Sequence, residues 1–236
     1  IRSGKHLLIE KPMTLSIDEA EMLVFLSRKY EVNLMVGHVL LFHPAIKKIK
    51  ELIKKGAIGD LQYIYSNRLN LGRIRTQENV FWSFAPHDIA VFQYLTSSNP
   101  KNIQASGSNF LQRGIYDSTL THFEYENGVK GHIFVSWLHP FKEHRLVVIG
   151  SEAMISFEDS KKDNPLKLHS KKFDLINGIP EKFDGPVENI DFSNTMPLTA
   201  ELTYFIDHLD GKKINISNAD TGLEVIKILV QTSSLL

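Results

Sequence analysis

The sequence predicts an α/β protein in two parts: the carboxyl-terminal portion of a parallel, nucleotide-binding type of sheet, then an α/β domain with a large, mainly antiparallel open sheet. Three observations carry this. Two short apolar runs, His6 to Ile9 and Val32 to Val36, flank one amphipathic segment, a strand–helix–strand order suited to parallel strands buried on both faces. From Asp60 onward, short runs of alternating apolar and polar residues dominate. With 236 residues, 42% hydrophobic and 23% charged, the chain can bury a core of one large domain or one and a fraction.

The first run, His6-Leu7-Leu8-Ile9-Glu10-Lys11-Pro12, must stop as a strand at Pro12. Proline withholds a ladder donor and pushes the residue before it toward an extended conformation. Lys11 therefore stands at the carboxyl end of a buried strand, where open α/β sheets place their ligands. The motif alone favours the plainer reading of Lys11 as a solvated charge at a strand end. Ser16 to Glu19 reads as a capping box, and Ile17, Ala20, Leu23, Val24 and Ser27 line one side of the helix it starts. Gly37 ends the second strand.

Pro44 suits a first helical turn, and Ile46, Ile49, Leu52 and Ile53 form a stripe whose flanking lysines, Lys47, Lys48, Lys50, Lys54 and Lys55, read as a solvated face. Strands are expected at Leu61 to Leu69, Ile103 to Phe110, Ser118 to Tyr125, Lys130 to Leu138, Arg145 to Ile149 and Met154 to Phe157. Asn127-Gly128 signals a type I′ hairpin, and Gly150-Ser151-Glu152-Ala153 another tight connection. Phe123, Ile133, Val135 and Trp137 are expected on a sheet face buried between subunits. Ile89, Phe92, Gln93 and Leu95 follow Pro86-His87-Asp88 at helical spacing, which puts His87 in a first turn, where the helix dipole favours neutral imidazole.

Composition excludes several classes. Lys plus Arg and Asp plus Glu each number 27, so no charge imbalance points to nucleic acid or an anionic membrane. Apolar runs fall short of the roughly 20 residues that span a bilayer, and without a signal peptide in view the cytoplasm is the expected compartment. Zero cysteines exclude disulfides, thiolate zinc sites and a cysteine nucleophile. His38/His43 and His139/His144 are each five apart, wrong for metal ligation from one helical face, so no metal is expected. Ser-His-Asp chemistry lacks a Gly-x-Ser-x-Gly elbow. Trp82 and Trp137 have no basic stripe beside them and read as core or interface. A Gly-x-Gly-x-x-Gly fingerprint is missing, and the chain opens on isoleucine, so an upstream stretch of a larger protein is expected.

With Gly4-Lys5-His6 through Glu10-Lys11-Pro12, Gly37-His38 through His43-Pro44-Ala45, Gly56-x-x-Gly59 and His87-Asp88 assembled, the whole chain resembles the glucose-fructose oxidoreductase, inositol dehydrogenase and rhizopine-catabolism family (Gfo/Idh/MocA). Within it, Asn67-Arg68-Leu69-Asn70-Leu71-Gly72 and Trp82 to Asp88 look most like dehydrogenases of UDP-N-acetylhexosamines or their uronates. The resemblance implies a remnant of a Rossmann domain over 1–43 and a substrate-binding, oligomer-forming domain over 44–236, whose last segments, Leu198 to Leu209 and Ala219 to Leu236, are helices packing beside the sheet or back on the nucleotide domain.

It further implies NAD or NADP held by Glu10, Lys11 and Pro12, with Lys11 and His87 catalytic. Asn67, Arg68, Arg73, Ser83 and His87 would line the substrate side of a homo-oligomer that acts on a sugar or nucleotide sugar. Guanidinium groups facing the cleft would favour a diphosphate. One departure stands out: the family commonly has an aspartate four residues before the histidine, and this chain has Ser83. A hydroxyl orients by hydrogen bonding, where a carboxylate would hold charge states. Either Lys11 and His87 work alone, or catalysis is weak or lost; the alternatives are a regulatory sugar- or nucleotide-binding protein, or a dehydrogenase of a free aldose or inositol.

Overall fold

The structure, a computed structural model, describes residues 1–161 and 163–236. β1 (Leu7–Glu10) and β2 (Leu34–Gly37) pair in parallel, from Leu7 opposite Leu34 to Glu10 opposite Gly37, with α1 (Ile17–Lys29) as the crossover. The box at its start forms in part, Ser16 Oγ accepting from the Glu19 amide at 3.3 Å. All four residues of β2 are buried, as a strand covered on both faces requires. Beyond β2 a short 3-10 turn, Val39–Phe42, leads into α2 (Pro44–Lys54), capped by His43.

The lysines of α2 do not all face solvent. Lys50 is buried, and its ammonium donates to the Leu95 carbonyl at 3.0 Å and to Ser97 Oγ at 2.7 Å, at the carboxyl end of α3 (Val80–Thr96). The unfilled carbonyls of a helix end supply the partners that a solvated face would have found in water.

β3 (Leu61–Leu69), β4 (Pro100–Ser108), β5 (Ser118–Tyr125), β6 (Lys130–Ser136), β7 (Glu143–Gly150), β8 (Met154–Glu158), β9 (Leu166–Ile176) and β10 (Ile179–Asn189) form one eight-stranded sheet, ordered β10-β9-β8-β7-β3-β6-β5-β4. β3 and β6 run parallel and the other neighbours antiparallel. The connection at Asn127-Gly128 is a hairpin but not of type I′. The Gly128 amide closes on the Tyr125 carbonyl at 3.0 Å with Gly128 alone of the pair at positive φ (84°), and the Asn127 side chain donates to the Thr96 carbonyl. Both residues at positive φ occur instead at Asn177-Gly178 (53° and 81°), which joins β9 to β10.

α3 and α5 (Ala219–Leu235) cover one face of this sheet, and α5 also packs on α1 and β2, tying the two sheets together. α4 (Pro197–Ile206) lies against the Val39–Phe42 turn. Phe123, Ile133, Val135 and Trp137 belong to the covered face: each is at most 4% exposed, and Phe123 meets Phe92 of α3 edge-on at 6.3 Å. The expectation that they form a subunit contact is therefore wrong by one step of strand alternation. The uncovered face carries Tyr63, Tyr65, His122 and His132 instead, with Tyr65 stacked on His132 at 4.9 Å. Among the described residues no helix is long and apolar enough to cross a membrane.

Candidate active site

Because β1 and β2 are parallel neighbours, the residues that follow them emerge side by side at one edge. Lys11 follows β1 and His38 follows β2. α3 lies across that edge, and the Lys11 ammonium donates to the Ser83 carbonyl at 3.1 Å. Ser83 and His87 are four apart and share a helix face, so the same turn brings the His87 ring to 6.2 Å from His38, at 83° to it. Nδ1 of both rings is buried with no hydrogen-bond partner, a costly arrangement that a hydroxyl or amide entering the cleft would relieve.

The placement of His87 differs from the sequence expectation. α3 begins at Val80, capped by Asn79 Oδ1 on the Trp82 amide at 3.1 Å, and Pro86 lies inside it. His87 is thus in mid-helix, and no helix terminus acts on it. Its pKa is nevertheless well below the ordinary imidazole value, first through burial and then through the charges of Arg68, Lys11, His38 and His144. Burial, with Lys11 beside it, pushes His38 down to about 3. Lys11 is itself lowered by burial, with Glu78 as the strongest opposing charge. The site therefore holds two neutral imidazoles and a partly desolvated ammonium.

The remaining expected residues are dispersed. Glu10 lies at the end of β1, its Oε2 so close over Gly37 that a Cβ there would sit 3.3 Å away. Ser83 contributes its backbone carbonyl to Lys11. Arg73 is exposed on the loop before α3. Arg68 faces α3 and holds Asp88 through two bonds, whereas Asn67, one strand position away, points to the uncovered face and donates to Glu143 Oε1 at 2.8 Å. Among the described residues no cluster of three or more metal-ligating side chains forms.

The strand and helix pair at 1–38 matches the family model described as "Oxidoreductase family, NAD-binding Rossmann fold", and residues 46–156 match "GFO/IDH/MocA C-terminal domain". The chain belongs to the GFO/IDH/MocA family of oxidoreductases. The UDP-N-acetylglucosamine 3-dehydrogenase of Acidithiobacillus ferrooxidans is 24% identical over 98% of this chain and 71% of its own length. The scyllo-inositol 2-dehydrogenase (NAD(+)) of Bacillus subtilis is 26% identical over 77% of this chain and 57% of its own. Other curated relatives, uncharacterised oxidoreductases of Streptococcus pneumoniae and B. subtilis, are spanned over only about half their length, 53% and 49%. In fold, the A. ferrooxidans enzyme superposes with a TM-score of 0.84 over 100% of this chain and 72% of that one, at 22% identity. An inositol dehydrogenase homologue from Azotobacter vinelandii, solved with NADH and myo-inositol, gives 0.80 over 99% and 70%, at 15% identity.

Two features of this GFO/IDH/MocA site were not drawn from the sequence. His38 was legible in principle, since it directly follows the second parallel strand, where the crevice must lie. Glu201 was not. α4 turns Leu198, Leu202 and Ile206 outward and Glu201 inward, where it is 3% exposed, has one unpartnered oxygen, and is pushed up to about 7 by burial and by the Glu10 carboxylate. A carboxyl raised in the folded state stabilises most when protonated, so this contribution is present at pH 4.5 and fades as pH rises through about 7. Glu201→Gln is expected to raise stability at pH 8 by about 1–3 kcal/mol and to leave it little changed at pH 4.5. Urea denaturation at the two pH values reads the difference, and equal effects at both would refute the buried carboxyl.

Proposed function

We propose that this chain carries the catalytic pair and the substrate side of an NAD(P)-dependent dehydrogenase that oxidises a ring hydroxyl of a sugar, a nucleotide sugar such as a UDP-N-acetylhexosamine. The observation that carries the reading is the meeting of Lys11 and His87, 76 positions apart, at the carboxyl edge of a parallel strand pair. The residues present suit the nicotinamide end of a dinucleotide. Side-chain-free Gly37 under Glu10, the Lys11 ammonium and the orphaned imidazole nitrogens together offer room, donors and acceptors. In this reading residues 1–43 form the cofactor side and 44–236 the substrate side.

A bound nicotinamide would accept the hydride from the carbinol carbon. The neutral imidazole of His87 takes the hydroxyl proton, a role that a ring kept unprotonated can perform at neutral pH. Lys11, held by the Ser83 carbonyl, donates to the same oxygen and stabilises the negative charge that grows there. No carboxylate at position 83 is needed to place it. Arg73, exposed on the loop before α3, is the group proposed to meet a diphosphate. The similarity to the UDP-N-acetylglucosamine 3-dehydrogenase over nearly the whole chain favours a nucleotide sugar above inositol, and NAD and NADP both remain substrates of the proposal.

The test is nicotinamide reduction, followed by absorbance, in the full-length protein with UDP-N-acetylglucosamine, its uronate, inositol and free aldoses. Turnover with the highest kcat/KM for a UDP-sugar is expected. A protein that binds a sugar and reduces no cofactor is a regulatory one, and preference for inositol transfers the substrate assignment.

We also propose that the uncovered sheet face is where copies of the chain associate. Strand alternation puts Phe173 and Leu175 (67% and 73% exposed) on the face of Tyr65 and Met154, and such apolar patches are rare on monomers. Sedimentation at micromolar concentration is expected to give a dimer or larger species, and to fall toward monomer for Phe173→Glu with Leu175→Glu. A monomeric wild type counts against it.

A further inference from the structure

One position beyond His87 along α3, Asp88 turns from the cleft onto the sheet. There it receives Arg68 of β3 through a fork, Nε donating to Oδ2 at 2.7 Å and Nη2 to Oδ1 at 3.1 Å. The third arm, Nη1, lies 3.3 Å from His144 Nδ1 on β7. His144 and His43 in turn bracket Asp159, each 3.8 Å from one of its oxygens. The Arg68 and Asp88 side chains are 13% and 7% exposed. A guanidinium so buried has its two-bond edge taken by Asp88 and not by a substrate phosphate, and unlike an ammonium it cannot lose its charge on burial.

We propose that Arg68 is a positioning residue for His87: its fork on Asp88 fixes the turn of α3 that carries the imidazole, and its buried positive charge stands permanently beside that ring. The inference rests on the reading of Lys11 and His87 as the acid–base pair. Planar two-bond pairing restrains both the angle and the depth of the helix on the sheet, which a single contact would not. Four groups face His87, namely Arg68 from β3, Lys11 after β1, His38 after β2 and His144 from β7, and after burial Arg68 contributes most to keeping the ring neutral. Asp159 stands 3.8 Å from His144, and Asp88 is the carboxylate paired with Arg68. Substituting a lysine would preserve the charge but lose the fork.

The experiment follows the His87 ring signals by NMR during acid titration of the full-length protein, with His87→Gln to assign them. Three forms are compared: wild type, Arg68→Lys, and Arg68→Met combined with Asp88→Leu, which leaves no unpaired charge behind. The wild-type and lysine forms are expected to stay neutral well below pH 6.5, while the double variant titrates higher by about one pH unit or more. Amide exchange across residues 85–91 is expected to quicken in Arg68→Lys, where the fork is gone. A double variant that titrates with the wild type overturns the electrostatic role, and unchanged exchange in Arg68→Lys overturns the mechanical one. Neither measurement needs substrate or cofactor, so a His87→Ala enzyme with undiminished turnover would defeat the catalytic reading separately.

Discussion

Lys11→Ala or His87→Ala in the full-length protein lowers kcat by roughly two to four orders of magnitude, the usual contribution of a positioned acid or base, with cofactor affinity largely kept. The expectation follows from the geometry. Lys11 is tethered to the Ser83 carbonyl and His87 stands four residues on in the same helix, so removing either side chain leaves the backbone that carries the other in place. The His87 ring, depressed by burial and by its cationic neighbours, stays neutral below pH 6.5. Turnover should accordingly hold its plateau through pH 6.5 and fall only in more acidic solution. Ser83→Asp is expected to be tolerated or mildly activating, since the backbone carbonyl at that position already holds Lys11. Stopped-flow and steady-state rates with a UDP-sugar decide the matter, and two alanine variants with wild-type kcat would remove both residues from the chemistry.

Asp88→Ala is expected to destabilise the chain by about 3–5 kcal/mol, the usual cost of breaking a buried pair and leaving one charge uncompensated. Arg68 would keep only His144 at 3.3 Å and the carboxylate of Asp159 beyond it, neither of which replaces the two-bond pairing. Replacing both residues by Met and Leu removes the stranded charge and should cost far less, since buried pairs exchange for apolar side chains with little loss. Denaturant midpoints compare the two directly. A single variant within about 1 kcal/mol of wild type would mean that water or a shifted carboxylate reaches the guanidinium.

Local chemistry made much of the fold legible. Pro12 stops a strand because it lacks a donor, Ser16 accepts from the Glu19 amide, and Leu61 to Leu69 and Ser118 to Tyr125 alternate with the period of a strand, each within the element expected. Pro86 misled for an equally local reason. A proline most often marks a helix start, but here Asn79 caps seven residues earlier and the helix runs through it. β9 and β10 carried a hairpin signal in Asn177-Gly178, yet the apolar positions of β9 change face part-way, from Leu166 and Leu168 to Phe173 and Leu175, so no single half-buried face marks the strand.

Capping, periodicity and motif, all properties of neighbouring residues, were enough for the order of elements outside β9 and β10, for the family, and for the two residues, Lys11 and His87, on which the chemistry is proposed to turn. Packing between distant segments set which face of each strand is covered, that Lys50 is buried while the other lysines of α2 are not, that Arg68 is held by Asp88, and that His38 and Glu201 point inward. Those outcomes depend on distant segments meeting. A buried charge or imidazole is tolerable only where a remote chain supplies its partner or shields it, and no spacing within one segment records that meeting.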